Sequence, residues 1–412
     1  MGKRNLLIGA ALPFLFAACT GGPINGATAT PAPDKTAASE ASEPEAALPN
    51  VPREEEISGE AVSVERHVLF TNPSPDPDMT LVEGLVDLIG NTAPGATIRI
   101  SMYIARDIDK KPFDKILTAL ARAGRKAQMH LVLDDTNEGS PSARRRLAQI
   151  VRTSGGRFVL CEAGCVGTDS EAKNHNKFML ISELKDGTRD VIVQSSANWT
   201  KEDLIGKHQD TVVIMGDRNL YAAYEAYWLD LADAAGAGDA GDERYGWDAA
   251  GADGTRAYFF PRSAEQDPVT KAVAAVPCRP DGGTRIRIAM SKWTSPRSAI
   301  AEELEALRLR GCRIEILLSE SSKNNDIRDL LADEGPIVPR CVAQLHSKYL
   351  LVEVAGLGEE TPDYYSVWTG SHNYTGHALY DNDEVWLQLP DEALYKAFLA
   401  NWYRMSTSAE SC

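Results

Sequence analysis

Two histidine-lysine pairs, His175-x-Lys177 and His346-x-Lys348, are each followed by a small-residue turn ending in asparagine, Ser196-x-Asn198 and Ser371-x-Asn373. Imidazole can attack phosphorus or carry a proton, and ammonium, hydroxyl and carboxamide groups donate hydrogen bonds to anionic oxygen. Two such sets facing one ligand would form a cationic, donor-rich pocket suited to a phosphodiester. One histidine would attack phosphorus while the other, protonated, gives its proton to the departing oxygen. Lysines and asparagines would hold the equatorial oxygens as charge redistributes. This chemistry calls for no metal and no cofactor.

Elements must place these groups. Each pair opens an apolar run, Lys177-Phe-Met-Leu-Ile181 and Lys348-Tyr-Leu-Leu-Val-Glu-Val354, that reads as a strand. Residues i and i+2 on a strand share a face, so each imidazole and its ammonium can address one ligand. The repetition continues outside the motifs, as duplication requires. Thr97–Met102 recurs as Arg285–Met290, each a buried strand. Amphipathic helices follow over Pro112–Gly124 and Pro296–Gly311, with proline at the start and glycine at the stop. Further strands are expected at Gln128–Leu133 and Arg313–Leu318. Tyr221 with Trp228, and Tyr395 with Trp402, share a seven-residue spacing that puts each pair on one core-facing side of a helix. The strand-helix alternation predicts an α/β fold, a duplicated α/β sandwich whose halves span 59–232 and 255–412 around a linker at 233–254, with the site between them.

The motifs resemble those of the phospholipase D superfamily, whose signature is His-x-Lys, four residues, Asp, then Gly-Ser-x-Asn. The resemblance covers roughly residues 64 to 405. It implies that one histidine becomes a phosphohistidine and the other serves as general acid and then base. It also implies that His175 is the nucleophile and His346 the acid, since the first copy often attacks in this family. Lys177, Lys348, Ser196, Asn198, Ser371 and Asn373 would then bind phosphate. Asp210 and Glu384 fall where the family keeps an acidic residue that orients a catalytic histidine. The chain departs from the pattern at the motif aspartates, which are Ser182 and Glu353, and at Ser195, where the second copy has Gly370.

The amino terminus bears on location. Lys3 and Arg4 precede an apolar stretch from Leu6 to Ala18, and Leu15-Phe-Ala-Ala-Cys19 resembles a bacterial lipobox. Residues 1–19 are thus expected to be a signal peptide with a lipidated Cys19. Residues 20–58, rich in Ala, Pro, Ser and Glu, read as a disordered tether. An exported lipoprotein anchored on the extracytoplasmic side of a membrane follows, acting as a monomer. Six further cysteines, Cys161, Cys165, Cys278, Cys312, Cys341 and Cys412, suggest disulfides. Cys161 and Cys165 could close a small loop, and the other four have no readable pairing. The four-residue spacing of Cys161 and Cys165 also admits a metal site, but no second pair completes one. A net charge of −16 disfavours loose binding to nucleic acid.

His67, His130, His372 and His377 match no motif position, although His372 between Ser371 and Asn373 is placed to touch the pocket rim. The leading expectation is a phosphodiesterase that hydrolyses glycerophospholipid head groups, with transfer to an alcohol as a second outcome. An exported nuclease with the same site is the alternative. A third reading is a phospholipid-binding surface lipoprotein that lost catalysis through the changes at Ser182 and Glu353.

Overall fold

Alternating apolar strands and amphipathic helices occur twice in the same order. The computed structural model describes residues 63–106, 112–136, 141–167, 169–237, 245–279, 282–320, 326–333, 337–356 and 363–412. The expected signal peptide 1–19, the lipidation site Cys19 and the tether 20–58 lie outside the described residues.

The first half runs β1 (Glu65–Thr71), α1 (Thr80–Gly90), β2 (Thr97–Met102), α2 (Phe113–Ala123), β3 (Gln128–Asp134), α3 (Pro141–Thr153), β4 (Phe158–Cys161), β5 (Lys177–Glu183), β6 (Arg189–Ser195), α4 (Lys201–Ile205), β7 (Gln209–Met215) and α5 (Arg218–Ala237). The second opens with an extra strand, β8 (Asp248–Ala250), and repeats the series: β9 (Arg256–Phe259), α6 (Pro268–Ala274), β10 (Thr284–Met290), α7 (Ser298–Leu309), β11 (Arg313–Ser319), α8 (Asp326–Asp333), β12 (Arg340–Val342), β13 (Lys348–Val354), β14 (Tyr364–Gly370), α9 (Gly376–Tyr380), β15 (Val385–Leu389) and α10 (Glu392–Thr407). A short β16 (Glu410–Ser411) closes the chain.

Among the described residues the sheets have orders β1-β7-β6-β5-β2-β3-β4 and β8-β9-β15-β14-β13-β10-β11-β12-β16. With the added edge strands β8 and β16 set aside, the two orders agree position for position, which confirms the expected duplicated α/β architecture. The strands β5 and β13 lie mid-sheet, and five successive residues of each are buried. That is the signature of a strand covered on both faces, and it explains their near-continuous apolar runs.

Each sheet is covered on its outer face by its own helices, α1 to α3 in one half and α6 to α8 in the other. The inner faces share one core, with Phe178, Ile192 and Trp228 from the first half against Tyr349, Leu351 and Trp402 from the second. Its contacts are reciprocal. Phe70 of β1 meets Phe398 of α10 edge-on at 5.1 Å, and Phe259 of β9 meets Tyr224 of α5 edge-on at 5.5 Å. The spaced aromatics are buried as expected, and their indoles pin the helices to the sheets. Trp228 Nε1 donates to the Ile100 carbonyl at 2.8 Å and Trp402 Nε1 to that of Ile288 at 3.4 Å.

The stretch 233–254 is not the simple linker expected from its Ala, Gly and Asp content. Alanine is the strongest helix former, and α5 continues to Ala237. Asp248–Ala250 then pairs with β9 as an added edge strand. The six cysteines pair as Cys161 with Cys165, Cys278 with Cys312, and Cys341 with Cys412. The small loop closed by the first pair is tied across the halves: the backbone N–H groups of Cys165, Val166 and Gly167 donate to the Asp383 carboxylate at 2.5, 3.2 and 3.0 Å.

Candidate active site

Each catalytic strand is entered from the opposite half. Before β5, Asn174 bridges Asp383 and the His175 N–H donates to the Asp383 carbonyl at 3.0 Å. Before β13, Leu345 bridges His208 and the His346 N–H donates to the His208 carbonyl at 3.0 Å. The crossing holds both histidines at the seam between the sheets. The lysine of each pair folds back on its own histidine: Lys177 Nζ donates to the His175 carbonyl at 2.6 Å and Lys348 Nζ to the His346 carbonyl at 2.5 Å. Tyr103, just after β2, lies against both members of the first pair, with its ring 4.7 Å from the His175 ring and 5.1 Å from Lys177 Nζ.

Burial disfavours positive charge here, and the four cationic groups repel one another. Lys177 is pushed down to about 7 and Lys348 to about 8, in each case chiefly by burial. Both histidines fall well below their ordinary value, first through burial and then through the nearby lysines. Lys348 acts on His175 and Lys177 on His346, as convergence requires. An anion between them would restore the lysine charges.

The second ring nitrogens distinguish the halves. His175 Nδ1 lies 2.8 Å from Oε1 of Glu384, a fully buried residue of the second half. The atoms are in contact, but the ring is turned so that the contact misses hydrogen-bond alignment. Burial, opposed by Lys177, pushes Glu384 up to about 8, and His175 falls well below its ordinary value, so near neutrality a protonated carboxyl lies beside a neutral imidazole. His346 Nδ1 instead meets the Gln209 carboxamide oxygen at 3.1 Å, with Lys348 Nζ at 3.3 Å.

Asp210 therefore does not orient His346 as expected from the sequence. The Ser196 N–H donates to the Asp210 carbonyl at 3.0 Å, where the Ser371 N–H donates to that of Val385, also at 3.0 Å. Asp210 thus corresponds to Val385, and Gln209 to Glu384. A shift of one residue on a strand moves a side chain to the other face. The Asp210 carboxylate is buried and accepts from the Thr369 hydroxyl across the seam.

Asp203 is a residue that the sequence reading missed. Its Oδ1 accepts from Gln209 Nε2 at 3.4 Å and from Lys207 at 2.9 Å, and its Oδ2 accepts from Asn198 Nδ2 at 2.8 Å. Burial opposes its charge, yet the facing His346, the Lys207 ammonium and the Asn198 amide hold it well below the usual carboxylate range. By engaging the Gln209 amide nitrogen it turns the amide oxygen toward His346. The N-cap that starts α4 points to such a residue: the Thr200 hydroxyl accepts from the Asp203 N–H at 3.1 Å.

The two serines expected to bind phosphate are occupied within the protein. Ser196 Oγ donates to Gln209 Oε1 at 2.7 Å and accepts from the Asp210 N–H at 3.0 Å; Ser371 Oγ accepts from the Val385 N–H at 3.1 Å. Both are fully buried, so they tie each asparagine turn to the next strand. Gly370 precedes the second turn at φ +148°, and a Cβ there would lie 2.2 Å from the Val385 carbonyl oxygen. Asn198 and Asn373 remain beside the seam, each with Oδ1 unpartnered among the described residues. His372 does not reach the rim: it is fully buried, with its ring 4.3 Å from Phe260. Ser182 and Glu353 lie at the far ends of β5 and β13, about 17 Å from the lysines at 3.3 Å per residue.

Comparison with known proteins agrees with this geometry. The family model described as cardiolipin synthase, PLD-like domain matches residues 85–231 and 282–405, one stretch in each half. Phosphatidylserine synthase from Haemophilus influenzae Rd KW20 is similar in fold, with a TM-score of 0.54 and 11% identity over 84% of this chain and 87% of that one. Polyphosphate kinase from Porphyromonas gingivalis gives 0.52 and 13% over 82% of this chain. The present chain spans about half of that kinase, 49% of its length. Nuc from Salmonella typhimurium, a phospholipase D family member, matches 41% of this chain over 93% of its own, at 18% identity and a TM-score of 0.30. Among curated proteins no match is found. With both copies of the motif in matched halves and the family model covering most of the sequence, the chain belongs to the phospholipase D-like family.

Proposed function

We propose that this protein cleaves the head-group phosphodiester of a glycerophospholipid in two displacements through a phosphohistidine. The observation that carries the reading is the unequal pairing of the histidines, His175 against a carboxyl and His346 against a carboxamide. Nε2 of His175 attacks phosphorus, and the P–O bond to the head-group alcohol breaks. The leaving oxygen takes the proton from Nε2 of His346. Water or a primary alcohol then attacks the phosphohistidine and gives its proton to His346. The products are phosphatidic acid or a phosphatidyl alcohol, with both histidines returned to their starting states.

Glu384 supports this division of labour, because a carboxylate beside His175 offsets the positive charge of a phosphorylated imidazole. Lys177 and Lys348 meet the equatorial oxygens, joined by the second N–H of Asn198 and by the Asn373 amide. The description of the matching family as cardiolipin synthase favours a lipid substrate and an alcohol acceptor. The lipobox at Cys19 favours an exported, membrane-anchored enzyme, and the net charge of −16 disfavours a nucleic-acid substrate.

The test is incubation of the full chain with mixed phospholipids, a primary alcohol and a chelator, followed by lipid mass analysis. Phosphatidyl alcohol is expected, and His175→Ala and His346→Ala each lower turnover by about 10³ or more. A phosphohistidine accumulates only in the chain that retains His175. Substantial turnover by either variant overturns the mechanism, and salt-sensitive DNA cleavage without lipid turnover would make the protein an exported nuclease.

A further inference from the structure

A cavity of about 660 Å³ opens on the outer face of the second half, between α6 and strands β9, β14 and β15. That size suits a small ligand. None of its lining residues belongs to the histidine site.

The matching place in the first half is filled. Strand pairing equates Leu69 with Tyr258, Val193 with Trp368 and Val213 with Gln388. In the first half α1 lies directly on this surface: a Cβ added at Gly84 would come within 2.5 Å of the Leu69 side chain. Counted from the helix starts at Thr80 and Pro268, the corresponding residue in α6 is Ala272, which together with Tyr258 lines the cavity. The helix α6 is also shorter, 7 residues against 11 in α1. An apolar contact has thus become a lined space.

Its chemistry is two-sided. The wall includes Ala272, Val276 and Pro277, and Tyr258 and Trp368 supply rings. The Trp368 indole N–H has no hydrogen-bond partner among the described residues, and the Tyr258 hydroxyl donates to Gln388 at 3.1 Å. At the rim, Arg256 and Lys271 are exposed, and neither forms an ion pair among the described residues. The third cation, buried Arg262, is offset by Asp248 at 2.6 Å. Among the lining residues, in a chain of net charge −16, this leaves an excess of two positive charges beside an apolar space, with the Glu265 carboxylate outside the lining close enough to feel Lys271.

We propose that this cavity binds an anionic amphiphile, with its head at Arg256 and Lys271 and its apolar chain along α6 over Tyr258 and Trp368. A bare anion would leave the wall uncovered, and a neutral chain would leave the cations unused. The site is separate from the proposed reaction, so either can fail without the other.

The experiment is calorimetric titration of the full chain with dodecyl phosphate below its micellar concentration, with inorganic phosphate and a neutral dodecyl maltoside as further arms. Saturable one-to-one binding of dodecyl phosphate is expected at this cavity, with both controls at least tenfold weaker. Arg256→Ala with Lys271→Ala weakens binding at least tenfold, and Ala272→Leu, which narrows the space, does the same. Both variants keep the parent melting temperature to within a few degrees and keep phosphodiester turnover. Unchanged affinity in the charge variant, or equal affinity for inorganic phosphate, overturns the proposal.

Discussion

The halves agree in strand order, in register and in the backbone crossings that hold their histidines, yet they differ at the atom each imidazole faces. In one it is a carboxyl oxygen of Glu384 at 2.8 Å; in the other it is a carboxamide oxygen of Gln209 at 3.1 Å. The charge has not vanished from the second arrangement but sits behind the amide, on Asp203. Duplication supplies two equivalent imidazoles, and this difference makes them chemically unequal. A carboxylate in contact stabilises a cationic imidazole far more than an amide does, because little water intervenes. The histidine beside Glu384 therefore suits phosphorylation, and the one beside Gln209 releases its proton more readily.

The largest effect should come from removing that inequality. Glu384→Gln is expected to lower kcat by about 10²-fold, the scale on which a single preorganised electrostatic partner acts. Gln209→Glu should cost about tenfold and move the pH optimum upward, because a carboxylate at His346 raises its pKa and weakens it as an acid. In the double exchange the trapped phosphohistidine should shift from His175 to His346. If rapid-quench labelling still finds it only on His175, the carboxylate does not assign the roles.

A smaller effect is expected one step further out. Asp203→Asn keeps the shape of the side chain but no longer fixes which end of the Gln209 amide faces His346. Turnover should fall about tenfold, an amount set by the fraction of wrongly turned amides, with KM little changed. A pH profile measured beside that of Glu384→Gln separates the two halves. The Asp203 variant should move only the limb that reports the acid, and movement of both limbs would mean that Asp203 merely supports the fold.

Charge on the lysines gives a gentler test. Lys177 is down to about 7 and Lys348 to about 8, while Glu384 is up to about 8. The protonated forms of all three favour an anion. Above these values binding must take up protons, so affinity falls as pH rises, by at most about tenfold per unit for each proton taken up. Diethyl phosphate carries a constant charge over this range, and its affinity measured from pH 6 to 9 should decline above about 7. A flat profile would show that the lysines stay charged without a bound anion.

Much of this was legible in the residues. Strands at Lys177 and Lys348 and the aromatic pairs Tyr221 with Trp228 and Tyr395 with Trp402 follow from period and apolar content, which local sequence carries. The partner of His346 was not, because matching acid to acid in His208-Gln-Asp210 and Asn382-Asp-Glu384 slips the alignment by one residue. Only the backbone bonds from Ser196 and Ser371 reveal the true register. Asp203 was hidden because it acts from a short helix through another side chain. The pairing of Cys341 with Cys412, 71 residues apart, depends on the arrival of β16 beside β12, which no local pattern encodes.

The smallest expected effect lies where the motif looks most damaged. Ser182 and Glu353 occupy the aspartate positions of the two copies, and each uses its oxygen to secure a strand. Ser182 Oγ accepts from the Thr97 N–H of β2 at 2.9 Å, and Glu353 Oε2 accepts from the Tyr395 hydroxyl of α10 at 2.9 Å. Neither oxygen is near the histidines, since the length of the strand intervenes. Ser182→Ala should therefore cost about 1 kcal/mol of stability, the usual worth of one such bond, while turnover stays within about threefold. Glu353→Gln keeps an acceptor for Tyr395 and loses only partly exposed charge beside Arg287 at 3.7 Å, so its melting temperature should change less still. Denaturant melts and initial rates on the two variants decide the matter: a tenfold loss of turnover at unchanged stability would mean that the position acts on the chemistry along the strand, and the two copies would then differ at both ends of it.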